Sequence, residues 1–153
     1  MVLISFKNPM PEETYNIYDL LDKMREKPAL WLTKKSLICL HAYVEGYRCA
    51  LLDRGIKDVS EPAFFSIEFF DWVAARLGYN YSQMGWCNAI LADTLGWSPK
   101  SKRVWERLLA RAVKPGEDST AFDRFYELLD GWRHSGYKER DAVKAKMSRY
   151  QDD

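Results

Sequence analysis

The residues of this chain that could carry chemistry are two histidines, three cysteines and a scatter of carboxylates. His41 and Glu45 lie four apart in a predicted helix, so two potential metal ligands share one face. A metal site needs three or four ligands and groups that orient them, and no H-E-x-x-H or paired-cysteine pattern supplies the rest. The pair therefore reads as a histidine at the edge of an apolar stripe beside an acid. Cys39, Cys49 and Cys87 are odd in number and have no C-x-x-C spacing. Cys39 and Cys49 fall about 15 Å apart along one predicted helix, beyond disulfide reach. All three read as small buried hydrophobes in a reducing compartment. No G-x-S-x-G elbow occurs, and the glycines are scattered without a phosphate-cradling pattern. No catalytic, cofactor or metal site is expected, and the residues point away from an enzyme.

Binding surfaces are a better prospect. Lys100, Arg103, Arg107, Arg111 and Lys114 recur at three- and four-residue spacings, giving a basic helix over 100–114 that could contact phosphates. Its segment from Trp97 to Lys114 carries six bases against one acid, whereas Asp58 to Asp93 carries five acids against one arginine. Patches of opposite sign either steer charged partners or neutralise each other inside the fold. With a net charge of +1, nothing global favours nucleic acid. A predicted helix over Ala63–Leu77 is the most informative element. Its Phe69, Phe70, Val73 and Leu77 face the core, and Phe64, Glu68, Asp71 and Trp72 lie opposite. Two rings flanking two carboxylates would make a compact partner-binding patch, unless this helix is central and the rings are themselves core.

The elements that must position these residues are helical. Ile17, Leu20, Leu21 and Met24 give an amphipathic first helix from Glu13 to Glu26, ended by Lys27-Pro28. Ala29-Leu30-Trp31-Leu32 is too short for a helix of its own and is expected as an extended hook. A second helix spans Ser36 to Asp53 with Gly55 as its stop. The helix at Ala63–Leu77 is closed by Gly78, and another follows with Ser82 as N-cap and Gly96 as terminus. Pro115-Gly116 breaks the basic helix, and Thr120 with Asp123 resembles a capping box for a sixth. The charged tail 138–153 forms a peripheral helix or frays, and β-type alternation is confined to residues 2–6. The expectation is all-α: an irregular bundle of six to seven short helices in one domain, 1–153.

Composition agrees. The chain is 47% hydrophobic and 29% charged, a globular balance, and its length lets it bury a core without staples. Aromatics reach 14%, so the rings either fill gaps between short helices or form a contact surface. The N-terminus lacks the basic and long apolar regions of a signal peptide, and no apolar run approaches the roughly 20 residues of a membrane span. A cytoplasmic location is the expectation.

One run of residues resembles a known group. Tyr18 to Leu32 (YDLLDKMREKPALWL), Ser36-Leu37 and Ala42 to Tyr47 (AYVEGY) are similar to a helix, hook and Leu…Gly-Tyr helix found in small helical immunity proteins. Those proteins are encoded beside bacterial polymorphic or contact-dependent-inhibition toxins. Phe65 to Val73, Gly85-Trp86 and Ala121 to Asp130 extend the likeness to about two-thirds of the chain. The hook here reads Lys-Pro-Ala-Leu-Trp-Leu-Thr and lacks both glycines of the pattern. The resemblance implies stoichiometric inhibition of a cognate toxin domain, a nuclease in many such pairs, by covering its active or substrate-docking site. Acidic side chains would then steer association, which singles out Glu68, Asp71 and Trp72. The competing expectation is a helical regulatory or scaffold module contacting nucleic acid through 100–114.

Overall fold

A computed structural model describes residues 11–79, 85–97 and 112–148, with side chains of the last helix described as far as His134. The basic helix expected over 100–114 (save its last three residues), the Ser82 cap and the alternation at 2–6 lie outside the described residues. Among those described there are six helices: α1 Ile17–Glu26, α2 Pro28–Leu32, α3 Leu37–Arg54, α4 Ile67–Leu77, α5 Gly85–Thr94 and α6 Pro115–Ser148. Two short strands, β1 Thr14–Tyr15 and β2 Lys57–Asp58, pair in parallel with Thr14 opposite Lys57. The fold is all-α, as the periodicity indicates. No helix among the described residues is long and apolar enough to cross a membrane.

Local chemistry sets the helix ends. Asn16 caps α1 by accepting from the Tyr18 N–H, and Ser36 caps α3 by accepting from the Cys39 N–H. The C-terminal residue of α3 is followed by Gly55 at φ +63°, a left-handed position that suits glycine. Pro28, whose missing N–H is harmless in a first turn, opens α2. The expected extended hook is thus corrected to a five-residue helix. The same reasoning corrects the start of the last helix. Pro115 begins α6 rather than preceding it, and Glu117 reaches back to accept from the Lys114 N–H. Thr120 lies inside the helix, donating to the Gly116 carbonyl at 2.9 Å, and is not a cap. From Pro115 the helix runs unbroken for 34 residues, about 51 Å. It joins the expected sixth helix and the start of the charged tail into one element.

That long helix is the spine of the molecule. Helices α4 and α5 pack on each other and on α6, and α3 also reaches α6. The core they enclose is aromatic. The Trp86 ring lies 5.0 Å from Phe125, Phe69 lies 5.6 Å from Trp132, and Trp72 lies 5.9 Å from Trp132. The large ring content of the sequence is thus spent mainly on filling this interior. The first helix is held to the spine by polar contacts: Tyr126 donates to the Leu21 carbonyl at 2.6 Å, and Arg25 grips Asp130 through two hydrogen bonds. Of the cysteines, only Cys87 is buried; Cys39 is half-buried and Cys49 is exposed, because α3 covers its inner face only.

Candidate partner-binding site

The patch expected on Phe64, Glu68, Asp71 and Trp72 does not form on the outside. Phe64 and Trp72 are only 3% and 2% exposed. Helix α4 is enclosed by α5 and α6, so it buries Trp72 and Ala74 as well as the expected Phe69, Val73 and Leu77. Trp72 reaches the spine beside Gly131, where an added Cβ would come within 3.1 Å of the indole. Glu68 and Asp71 are half-buried on the same helix. The correction is physical: a wheel finds one apolar stripe, whereas a central helix has two.

Phe64 nevertheless reaches a site, as its floor. Ser66 ends the loop before α4, donating to the Ala63 carbonyl at 2.8 Å and accepting from the Phe69 N–H at 3.3 Å. This cap starts the helix at Ile67 and pushes that side chain outward, leaving it 70% exposed. Between this corner, the flank of α3 and the start of α5 lies an open pocket of about 220 Å³. Phe64, Phe65 and Trp86 form its apolar walls, with Glu45, Arg48, Ser66 and Ile67 completing the lining. Phe64 lies 5.3 Å from Phe65 and 6.0 Å from Trp86, both steeply inclined, so the walls are fixed by edge-to-face packing. Arg48 pairs with Glu45 at 3.1 Å, an exposed ion pair that screens the mouth without giving it net charge. One turn beyond Arg48 on α3, Leu52 is 68% exposed.

His41 packs edge-on against Trp86, a wall of this pocket, with ring centroids 4.9 Å apart. Burial lowers its pKa from the usual 6.5, and nearby Glu45 only partly opposes this. Among the described residues, no three His, Cys, Asp or Glu side chains gather where they could share a metal ion. The Ser66 hydroxyl is committed to its cap. The arrangement offers shape, apolar surface and a fixed ion pair, which are the means of recognition.

Arg48, Phe65, Ile67 and Leu52 were not singled out by the sequence. A signal for Ile67 was present: reading Ser66 as the N-cap places an isoleucine at the first helical position, where nothing in the helix covers it. No protein-family model, curated protein or solved structure matches this chain.

Proposed function

We propose that this protein acts by binding another protein, as an immunity protein that neutralises a cognate bacterial toxin domain by occluding its active or substrate-docking site. The partner class comes from the resemblance of the helix–hook–helix segment. The observation that carries the binding reading is the aromatic-walled pocket bordered by Ile67. At about 220 Å³ it is smaller than the roughly 300–1,000 Å³ of pockets that enclose small molecules and cofactors. It suits one anchoring side chain from a partner. Ile67 and Leu52 are exposed and supply apolar contact area beside it. Buried anchors seated in such pockets dominate the energetics of protein interfaces.

The test uses the C-terminal domain of the toxin encoded beside this protein, a nuclease in this reading. Mixing the two is expected to give a stoichiometric complex and loss of nuclease activity. Ile67→Arg and Leu52→Arg, both at exposed positions, should keep the helical circular dichroism and weaken binding by roughly 10-fold or more, as hot-spot losses do. Absence of a complex overturns the reading, and an affinity indifferent to both changes overturns the site.

A further inference from the structure

A second pocket, of about 310 Å³, lies between α1, β1 and α3. Glu45 of the first pocket and Tyr47 of the second are two residues apart on the helix and so face opposite sides. Tyr47 lines this cavity together with Tyr15 of β1 and with Asp19, Leu20 and Lys23 of α1. The Tyr47 ring is held in place by stacking on Phe65, 6.5 Å away and inclined by only 24°. Burial raises the Tyr47 pKa, and the neighbouring Asp58, Tyr15, Asp19 and Tyr43 raise it further. The carboxylates near this ring are those of Asp58 and Asp19.

The start of α1 adds few unused donors beside them. Its first amides are already used: Ile17 N–H donates to Asp58 at 2.8 Å, Tyr18 N–H to the Asn16 side chain, and Asp19 N–H to the Asn16 carbonyl. The helix end therefore makes little demand for an anion. Asp19 and Lys23 are four apart, yet among the described residues no ion pair within 4.0 Å is found between them. The carboxylate is left available at the mouth of a cavity with two tyrosine rings.

We propose that this pocket receives a guanidinium group, presented as an arginine side chain by the protein partner. A guanidinium is planar and weakly hydrated, stacks on aromatic rings, and pairs with a carboxylate through parallel hydrogen bonds. Those are the complements of Tyr15, Tyr47 and Asp19, while Leu20 suits the arginine stem. Among the described residues Lys23 is the one cation in the lining, and it opposes the incoming charge. The source of the arginine rests on the protein-binding function proposed above; the affinity for the cation itself does not.

The test is an NMR titration of the isotope-labelled full chain at low salt with N-acetyl-arginine methylamide, and in parallel with N-acetyl-norleucine methylamide. The arginine compound is expected to shift the amides of Tyr15, Asp19, Leu20, Lys23 and Tyr47 saturably, and the norleucine compound to leave them in place. Asp19→Asn and Tyr47→Leu should each weaken arginine binding roughly 2–5-fold, and Lys23→Gln should strengthen it by a similar factor. Equal shifts from the two compounds, or weaker binding in Lys23→Gln, overturn the assignment. Arginine binding that persists while no toxin complex forms upholds the pocket and rejects only the source.

Discussion

The carboxylate of Asp118, in the first turns of α6, closes the N-terminus of α3 by accepting hydrogen bonds from the Ser36 hydroxyl and, at 3.1 Å, from the Ile38 N–H. Ser36 in turn accepts from the Cys39 N–H at 3.0 Å, so three groups from two helices form one cap. Both side chains are buried, with Asp118 6% exposed. A negative charge at the positive end of a helix is favourable, and here the charge is supplied from 82 residues away in the chain.

Asp118→Ala removes that acceptor and leaves the Ser36 hydroxyl and Ile38 N–H buried without it. The expected cost is about 1–3 kcal/mol, the usual penalty for stranding buried polar groups. Urea unfolding should show a lower midpoint with an unchanged slope, since the surface exposed on unfolding is the same. A midpoint equal to that of the parent protein would show that the cap adds nothing.

His41 makes stability depend on pH in a defined direction. Its pKa is lowered in the folded protein, chiefly by burial against Trp86, so the unfolded chain takes up the proton more readily. The contribution is present above the usual 6.5 and is lost as pH falls from there through the folded value. The ring protons of His41 should titrate with a midpoint below 6.5. His41→Gln should flatten part of the stability decline on acidification, and an unchanged decline counts against the assignment.

The cysteines should differ sharply in reactivity. Cys49 is exposed on α3, while burial, with Asp118 adding to it, pushes the Cys87 thiol up to about 12. Thiolate is the reactive form, so Cys87 is doubly protected. A disulfide reagent added to the native protein should label Cys49 quickly, a phase lost in Cys49→Ser, and should reach Cys87 only on unfolding. Rapid native labelling of Cys87 would contradict its placement in the core.

The helical class and the ends of α3 were legible because Ser36, the recurring leucines and Gly55 act within a few residues of one another. The errors arose where the deciding partner is remote. Trp72 reads as an outward anchor until Gly131, 59 positions on, opens the space that takes its indole. The β1–β2 pairing is equally silent in sequence, since two-residue strands carry no alternation. Pro28 ends α1 as its type predicts, but Pro28 and Pro115 also each open a helix, which a breaker reading does not anticipate. At the candidate site, Phe64 enters from the loop before α4, and a helix taken to begin at Ala63 hides Ile67 among its interior positions, whereas α4 begins at Ile67 itself.

The position of α6 has a consequence for how the chain is made. Tyr18, Leu21, Asp22 and Arg25 find partners at Trp132, Tyr126, Arg133 and Asp130, more than a hundred residues later. Translation delivers those partners long after α1, so this interior cannot close until α6 has left the ribosome. Until then Phe64, Phe69, Trp72 and Trp86 lack the surface that α6 gives them, and the nascent chain exposes these rings. A product cut short before α6 would be a client for chaperones and proteases, because the aromatic core has no second wall without that helix.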